Sequence, residues 1–465
     1  MSKNKGTPRR LLTKREFKRN TEEALKMKGL SEKFSRLRGM KDIVAEDGRY
    51  WDLIVKKASD LASVYGFKKV QVPILENYEL YRRSSGEGSD VVSKEMYSFI
   101  DKNGDKIALR PEMTPGLTRA YVENGMMALR QPVKMFSYGP IFRHEKPQSG
   151  RYRQSHQFDM EIFGETSPVA DVLLMLIANN IFNELQIPVV FEVNSIGCKQ
   201  CRGDYVKKLV AYYKERGNRS KLCVDCKKRL DKNPLRILDC KEPACCQLKE
   251  DAPPIVDFLC EDCKKRFTRV LEYLDEMNIP YDLNLALVRG LDYYSGVVFE
   301  IFAKEEGLNG RGMALGAGGR YDGLVEFLGG RGTPACGFAI GLERIIMKIK
   351  STGIPLEKES EDLIFIAQLG DVARRKAMVL FEELRRAGFR VAQAFTRDSL
   401  KDQLEEANLL NARLALIIGQ KEMNDKTVMF RDMESGNQEV VDYKKTRVEL
   451  ERRINNIEKK IEGKK

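Results

Sequence analysis

One stretch of the chain, Phe142 to Gly164, is dense in charged side chains and contains both histidines of the protein, His144 and His156. Its arginines are Arg143, Arg151 and Arg153, and its acids are Glu145, Asp159 and Glu161. Guanidinium groups bind phosphate oxygens and carboxylates bind cations, and this mixture therefore suits a site for a polyphosphate and a cationic group. From these residues alone, a solvated hairpin with surface ion pairs is the simpler interpretation.

Nine of the ten cysteines lie between Cys198 and Cys263, and three CxxC pairs occur there. A CxxC turn places two thiolates on one side of a metal, and two such turns complete a tetrahedral site. No histidine lies in this region, and any site is therefore all-sulfur. Free thiols, one redox pair or an iron–sulfur cluster are the alternatives. We predict one or two structural Zn²⁺ ions, held by Cys198, Cys201, Cys223, Cys226, Cys240, Cys245, Cys260 and Cys263, with Cys246 as the alternative to Cys245.

Four further segments carry side chains that suit the same chemistry: Leu109–Gly116, Leu287–Tyr294, Ala317–Leu324 and Gly337–Arg344. Glu112 and Thr114 are two residues apart at the end of a predicted strand, and both can therefore face one side of it. Arg289 lies close to two tyrosines. The Gly-rich third segment lacks the strand–GxGxxG–helix spacing of a dinucleotide fold.

In this order and spacing, the five segments closely resemble those of the histidyl-tRNA synthetases, which are class II aminoacyl-tRNA synthetases. The resemblance runs from about Leu37 to Asp442. The stretch at 142–164 resembles motif 2 of that class, Gly337–Arg344 resembles motif 3, and Tyr65–Ile74 resembles motif 1, which forms the dimer interface. The second and third of the four further segments resemble the two histidine-specific segments of the family.

The resemblance implies how ATP is bound. Arg143 is expected at the α-phosphate, Arg151 and Arg344 at the far phosphates, and Glu145 close to the nucleotide, with Mg²⁺ bridging the leaving phosphates. Arg289 is expected on the opposite side of the α-phosphate, which makes Arg143 and Arg289 the implied catalytic residues. The reaction is an in-line attack of the histidine carboxylate on phosphorus, and it rests on positioning and charge stabilisation because no protein nucleophile is needed.

The resemblance also implies a histidine site. Glu112, Thr114 and Gln157 match family positions near the amino and carboxylate groups of the substrate, and Glu161 and Tyr294 match those at the imidazole. The remaining implied histidine-binding residues are Arg289, Tyr293 and Tyr321. A carboxylate and a phenol at the two ring nitrogens would reject side chains that lack this donor–acceptor pair.

Two further roles follow from the resemblance. Lys146 and Gln148, in the motif 2 loop, are candidate contacts to the acceptor end of histidine tRNA. The family often has an aromatic residue at the position of Ser155, where it stacks on adenine; here Phe158 or the plane of the Arg344 guanidinium is expected to serve.

The charge of the chain fits a nucleic-acid partner. The formal net charge is +13, and residues 1–20 contain eight Lys or Arg and one acid. Basic patches commonly bind nucleic acid, although a surface rich in Lys and Glu also serves solubility. We expect a cytoplasmic homodimer that does not enter a membrane, since no secretory segment is evident and no apolar run approaches the roughly 18 residues of a membrane span.

The elements around these segments indicate an α+β fold. Helical periodicity covers Arg49–Tyr65, Val70–Ile74 alternates as a strand, and Ser167 and Pro168 open a helix that runs to about Leu185. Strands are predicted at 188–194 and 297–302, and the mixture favours an antiparallel sheet with flanking helices. Beyond Asp362, strands at 363–367, 389–393 and 414–418 alternate with helices at 371–387 and 398–409, which indicates a small domain with a largely parallel sheet.

We therefore predict a class II synthetase sheet with flanking helices, an inserted Cys-rich helical domain and a C-terminal α/β anticodon-binding domain. The predicted boundaries are 1–36 for a basic extension with a helix from about Glu22 to Leu37, 37–350 for the catalytic domain with its insertion at about 196–278, 351–361 for a linker, 362–443 for the anticodon-binding domain and 444–465 for a helical tail. The tail is expected to pack through one helical face, which carries Leu450, Ile454, Ile457 and Ile461.

The resulting prediction is a histidine–tRNA ligase. The enzyme would activate L-histidine with ATP and transfer it to the 3′ end of histidine tRNA. One alternative is a non-catalytic paralogue that regulates ATP phosphoribosyltransferase, a class that typically lacks the anticodon-binding domain and parts of the histidine segments. A zinc-dependent RNA-binding protein without catalysis is a more distant one.

Overall fold

The computed structural model describes residues 34–86, 88–146, 150–305, 311–354 and 363–453. The chain forms two compact units that divide between Ile354 and Pro355. The helices of the first unit are α1 (Ala45–Val64), α2 (Tyr78–Ser85), α3 (Thr114–Glu123), α4 (Pro168–Glu184), α5 (Lys199–Lys214), α6 (Arg216–Lys221), α7 (Val224–Lys232), α8 (Pro243–Glu250), α9 (Glu261–Glu276), α10 (Leu324–Phe327) and α11 (Leu342–Thr352). Its strands are β1 (Lys68–Lys69), β2 (Leu75–Asn77), β3 (Ser98–Ile100), β4 (Lys106–Leu109), β5 (Val133–Phe142), β6 (Gln154–Phe163), β7 (Val189–Ser195), β8 (Tyr281–Leu283), β9 (Ser295–Lys304), β10 (Arg311–Arg320) and β11 (Ala335–Gly341).

The first unit is built on an eight-stranded sheet in the order β1-β5-β6-β11-β10-β9-β7-β8. The edge strands β1 and β8 run parallel to β5 and β7, and the other pairings are antiparallel. A small sheet, β2-β4-β3, lies in the same unit. The predicted α+β architecture with an antiparallel sheet and flanking helices is confirmed.

The two faces of β6 have different surroundings because side chains alternate along a strand. One face belongs to the main hydrophobic core, which α1, α4 and α11 help to form, and carries Phe158, Met160 and Ile162. The other face carries Gln157, Asp159 and Glu161. The polar side of this strand is therefore held rigidly by the apolar packing behind it.

Helix α4 begins as predicted. The Ser167 hydroxyl accepts a hydrogen bond from the N–H of Val169 at 3.2 Å, and Pro168 occupies the first helical position. Proline has no backbone N–H, but no helical hydrogen bond is lost at this position, because the first N–H groups of a helix have no partner within it. Helix α4 packs between α1 and α9, which explains its apolar character around most of its circumference.

The predicted strand at Val70–Ile74 is wrong. These residues link β1 to β2 and do not form a ladder. The N–H of Val70 donates to Phe136 of the large sheet, whereas Ile74 accepts from Arg110 beside the small sheet. The segment thus passes from one sheet to the other, and Pro73, which has no N–H, fits a position without a continuous ladder.

The residues between β7 and β8 form the predicted Cys-rich helical insertion, α5 to α9. Tyr205, Leu209, Tyr213, Leu230 and Ile237 are buried there in a second hydrophobic cluster. That cluster also contains Leu287, Val288 and Tyr294, which follow the insertion. The insertion is therefore packed continuously against a segment with predicted site residues.

The second unit contains α12 (Asp371–Arg386), α13 (Leu400–Leu409) and α14 (Gln420–Asp425), with β12 (Ile364–Gln368), β13 (Val391–Gln393), β14 (Leu414–Ile418), β15 (Thr427–Asp432) and β16 (Gln438–Asp442). The sheet order is β13-β12-β14-β15-β16. The predicted strands and helices are present. The expectation of a largely parallel sheet needs correction, because β15 and β16, which were not predicted, add two antiparallel pairings to the two parallel ones.

A short helix closes the described part of the second unit, and its Leu450 is buried as the predicted apolar face requires. The other residues of that face, Ile454, Ile457 and Ile461, lie outside the described residues, as does most of the helix predicted from Glu22. Residues 34–37 are not helical. Among the described residues, no helix is long and apolar enough to cross a membrane.

Candidate active site and cysteine centres

A cavity of about 1010 Å³ opens on the polar side of β6 and extends to the helical insertion. It brings together residues from five sequence segments that lie far apart in the chain. The predicted site residues that line it are Glu112, Thr114, Arg143, Glu145, Arg151, Gln157, Arg289, Tyr293, Tyr294 and Arg344. Glu161 and Tyr321 lie below this lining and are buried. Lys146 is exposed, and Gln148 lies outside the described residues.

Small residues on β11 make room for the polar row of β6. Gln157, Asp159 and Glu161 are in register with Gly341, Ala339 and Gly337, in that order. A Cβ atom on Gly337 would lie 1.4 Å from Oε2 of Glu161. Glycine is therefore required at this position because the Glu161 carboxyl occupies the space that any other side chain would need.

Glu161 lies in a closed hydrogen-bond network. The Thr114 hydroxyl donates to its Oε1 at 2.6 Å, and the Tyr321 hydroxyl donates to its Oε2. Burial raises the pKa of Glu161 well above its ordinary value, although both hydroxyl donors act in the opposite direction. A carboxyl group held this way can serve as a polar anchor deep in the cavity, where its orientation is determined by its two partners.

Glu112 is a second buried carboxyl of the cavity. Its Oε1 accepts from the Ser85 hydroxyl at 2.5 Å, and its Oε2 accepts from the Tyr293 hydroxyl at 2.6 Å. Burial raises its pKa, and these hydrogen bonds lower it in part. Sequence reasoning missed Ser85, which lies at the end of α2, because no local pattern links that helix to Glu112.

Several arginines lie at the end of the cavity near β5 and α11. Arg143 donates through Nε to the carbonyl of Pro111 at 2.8 Å, and Arg151 lies 3.4 Å from Glu145. Arg344 donates to the carbonyls of Ala314 and Gly150. Burial lowers the pKa of Arg344, and the nearby charge of Arg151 lowers it further. Such an arrangement favours a polyanion, because one would relieve the mutual repulsion.

Arg289 also lines the cavity. It forms an ion pair with Glu300, and its Nε is buried without a hydrogen-bond partner among the described residues. Its guanidinium carbon is 5.8 Å from the centre of the Tyr294 ring. Glu300 lies on β9 and was not predicted from the sequence, since a single glutamate in a strand carries no distinctive pattern.

The two histidines have structural contacts. His156 Nδ1 lies 2.9 Å from Glu343 Oε1, and the backbone N–H of His156 donates to Oε2 of the same carboxylate. This pair joins β6 to the start of α11. His144 is exposed, and its ring contacts the edge of Tyr97 at 5.5 Å.

The cysteines form two groups of four, and these are the eight that the spacing predicted. One group is Cys198, Cys201, Cys260 and Cys263, and the other is Cys223, Cys226, Cys240 and Cys245. Within each group the sulfur atoms lie within 4.8 Å of one another. All-sulfur groups of this kind suit a tetrahedral structural metal site.

Backbone N–H groups point at several of these sulfurs. Cys260 N donates to Cys201 Sγ at 3.1 Å, and Cys223 N donates to Cys245 Sγ at 3.3 Å. The N–H of Cys201 lowers the pKa of Cys198 to about 7. Hydrogen bonds to sulfur stabilise the thiolate, which is the form that binds metal. Cys246 is outside both groups, and its thiol donates to the Cys240 carbonyl at 3.2 Å.

Comparison with known proteins identifies the family. The family model described as histidyl-tRNA synthetase matches residues 39–197 and 256–345, and one described as an anticodon-binding domain matches 354–453. The histidine–tRNA ligase of Dehalococcoides mccartyi is 43% identical over 418 residues, which cover 90% of this chain and 99% of the relative. The chain belongs to the histidyl-tRNA synthetase family.

Other similar proteins agree with this assignment. The histidine–tRNA ligase of Thermosipho melanesiensis is 43% identical over 87% of this chain and 95% of its own length. The apo crystal structure of S. aureus histidyl-tRNA synthetase matches with a TM-score of 0.76 and 31% identity, and it covers 90% of this chain and 100% of that one. The predicted family and the predicted class II fold are confirmed.

The histidyl-tRNA synthetase match is interrupted at 198–255, which contains the whole second cysteine group. This part nevertheless adjoins the cavity, because Cys223 and Cys240 line it. Arg236 of the insertion donates to Asp90 at 3.1 Å, and Asn233 donates to Asp292 at 2.7 Å. Because Asp292 directly follows the Arg289–Leu291 stretch, the insertion supports one of the two histidine-specific segments.

One sequence-based expectation for the synthetase site is wrong. Phe158 was a candidate to stack on adenine, but it is fully buried on the core side of β6, where it stacks on Phe136 at 5.4 Å. Strand alternation explains this, since residues an odd number of positions from Gln157 point away from the polar row. The aromatic side chains Tyr152 and Phe302 line the cavity together with Ser155 and were not predicted.

Proposed function

We propose that this chain is a histidine–tRNA ligase that joins L-histidine to the α-phosphate of ATP, releases pyrophosphate, and transfers the histidyl group to the 3′ end of histidine tRNA. The observation that carries the proposal is one cavity with an arginine-rich end and an end with buried carboxyl and phenol groups. The family assignment and the ligases at 42–43% identity support it.

The arginine-rich end would hold ATP. Arg143 and Arg289 would bind the α-phosphate from opposite sides, and Arg151 and Arg344 would bind the far phosphates. Their guanidinium groups are already oriented by carbonyl or carboxylate partners, which limits the loss of side-chain entropy on binding. Mg²⁺ would neutralise the charge of the leaving phosphates, with Glu145 close to the nucleotide. The plane of Arg344 remains our candidate for stacking on adenine.

The buried end would hold histidine. Glu161 and Tyr294 would bind the two imidazole nitrogens, while Tyr321 and Thr114 orient the Glu161 carboxyl. Glu112, held by Ser85 and Tyr293, would bind the α-ammonium together with Gln157. Selectivity follows because a smaller or apolar side chain would leave these buried polar groups without partners.

No described residue needs to act as a nucleophile in this proposal. The histidine carboxylate attacks the α-phosphorus, and the charge that develops on the phosphoryl oxygens is stabilised by Arg143 and Arg289. The transfer step requires only that the tRNA hydroxyl loses a proton, which a phosphate oxygen of the adenylate can accept. Neither histidine is assigned a role in proton transfer, because His156 is bound to Glu343.

The two cysteine groups would hold one structural Zn²⁺ each, and each ion would join segments that are separated in the chain. The second unit would bind the anticodon of histidine tRNA, in agreement with the match at 354–453. Contacts of Lys146 and Gln148 with the acceptor end, the homodimeric state, the cytoplasmic location and the predicted domain boundaries stay predictions.

A regulator of ATP phosphoribosyltransferase is the second candidate. A protein described as an ATP phosphoribosyltransferase regulatory subunit/histidyl-tRNA synthetase from Bacillus halodurans shares the fold, with a TM-score of 0.58 and 19% identity. This likeness concerns the fold alone. The anticodon-binding match and the intact arginine and carboxyl sets favour the ligase.

Histidine-dependent exchange of pyrophosphate into ATP tests the proposal. Arg289→Ala should lower the exchange rate roughly 100- to 1000-fold, which is the range for loss of one transition-state charge contact. Glu161→Ala should mainly raise the histidine KM, since Glu161 would bind the imidazole of the substrate. Arg130→Ala, at an exposed arginine, is the matched control. Melting curves should show that each variant is folded, and the absence of exchange in the folded parent protein would refute the ligase assignment.

A further inference from the structure

Asp159 is a buried carboxyl that the proposed mechanism does not use. It is 1% exposed, it lines the cavity, and its Oδ2 is buried without a hydrogen-bond partner among the described residues. The other two buried carboxyls of the site differ from it, since Glu112 and Glu161 each accept hydrogen bonds from two hydroxyl groups. Burying an unpaired carboxyl is unfavourable, and its presence here therefore indicates a partner that is a ligand.

The position of Asp159 on the polar face of β6 indicates which part of a ligand it would contact. On β6 it lies between Gln157, toward the arginine-rich end, and Glu161, toward the imidazole end. Residues two apart on a strand are separated by about 6.5–7 Å. Histidine spans this row if its imidazole is at Glu161 and its carboxylate approaches the α-phosphate, and its α-carbon then lies above Asp159. Among the residues that the structure describes, the side-chain oxygen of Gln157 also has no hydrogen-bond partner, which adds a second available acceptor on the same face.

We propose that Asp159 binds the α-ammonium of histidine as an additional substrate-binding residue. This inference rests on the proposed ligase function. The three donors of the ammonium group would be shared among Asp159, Glu112 and Gln157, and the negative charge of Asp159 would balance the substrate cation near Arg143. Burial raises the pKa of Asp159 to about 8, and a bound ammonium would restore the ionised form.

A competing interpretation is that Asp159 only balances the buried charge of Arg110. Arg110 is 2% exposed and is the strongest cationic influence on Asp159. However, Arg110 donates its hydrogen bonds to the carbonyls of Pro140 and Val72, and Oδ2 of Asp159 has no hydrogen-bond partner among the described residues. The two interpretations predict different effects of the same substitution, because only one of them depends on the amine of the ligand.

The test combines Asp159→Asn with three ligands whose binding is measured by calorimetry: histidine, histidinol, which keeps the amine, and imidazolepropionate, which lacks it. Loss of a charge-assisted hydrogen bond should weaken histidine and histidinol by the same factor, about 10- to 100-fold. Imidazolepropionate should bind the variant as well as the parent, or better, because a neighbouring negative charge is gone. The melting temperature without ligand should be unchanged or higher.

Equal weakening of all three ligands, or of none, would overturn the inference, and a lower melting temperature with equal weakening would assign Asp159 to Arg110. Asp105→Asn, at an exposed aspartate, is the control and should change nothing. If Asp159→Asn fails to fold, Asp159→Ser allows the same three-ligand comparison. Failure of the parent protein to bind histidine would refute the ligase function itself. If the parent protein binds histidine and Asp159→Asn binds it equally well, only this inference is refuted.

Discussion

The sharpest test of the cysteine centres compares two adjacent residues. Cys245 belongs to the second group of four, whereas Cys246 is outside both groups and only donates to a carbonyl. Cys245→Ser should therefore remove a metal ligand, and Cys246→Ser should not. Because the two substitutions are chemically identical and neighbouring, general effects on α8 cancel in the comparison.

The magnitude follows from the number of ligands. Structural zinc binding to small domains contributes about 10–16 kcal/mol, and an even division among four thiolates assigns about 2.5–4 kcal/mol to each. This corresponds to a site that is weaker by a factor of about 60 to 800. After dialysis against a moderate chelator, we expect two equivalents of zinc in the parent and in Cys246→Ser, and one in Cys245→Ser, measured by elemental analysis.

The same variant should affect catalysis through the insertion. Asn233 and Arg236 lie between Cys226 and Cys240 in the chain, and they contact Asp292 and Asp90. Loss of the metal should loosen these contacts and raise the histidine KM in Cys245→Ser alone. Equal zinc content in the two variants, or no bound zinc in the parent, would refute the assignment of a metal site to this group.

Two other substitutions test the packing of the site. Gly337→Ala should displace the Glu161 carboxyl and weaken histidine binding by about 1–3 kcal/mol, with little effect on the KM for ATP. Gly332→Ala is the control, because a Cβ atom there meets nothing within 4 Å. Exchange kinetics measured at varied histidine and ATP concentrations would show the difference. Asp171→Asn breaks the buried ion pair with Arg320, at 2.7 Å, and should lower the free energy of unfolding by about 3–5 kcal/mol in a denaturant titration, while a change below about 1 kcal/mol would show that the pair is dispensable.

Much of the site could be predicted because its residues come in short motifs. Arg143, Arg151, Arg289 and Arg344 were recognised in their own segments, and the structure brings all four to one cavity. The three CxxC pairs were recognised by spacing alone, whereas the structure was needed to choose Cys245 over Cys246. Ser85 and Glu300 could not be predicted in this way, since their importance arises only from strands and helices that meet in three dimensions.

The errors have equally local causes. Val70, Val72 and Ile74 alternate as the apolar residues of a strand do, but this segment connects the two sheets of the first unit. Phe158 follows Gln157 directly, and the alternation of a strand therefore directs it into the core. Strands β15 and β16 were missed because antiparallel strands can be joined by a short turn, and the sequence therefore shows no alternating helix between them.

The topology of the large sheet has a consequence for how the enzyme is synthesised. Strand β6 pairs with β11, so that Glu161 meets Gly337 across a long interval of chain. During translation the histidine site cannot close until β11 has left the ribosome, because non-local pairings wait for their partner. The ligands of the second cysteine group, Cys223 to Cys245, lie close in sequence. The insertion can therefore take up its metal first, and the catalytic sheet would then close around a part that is already folded.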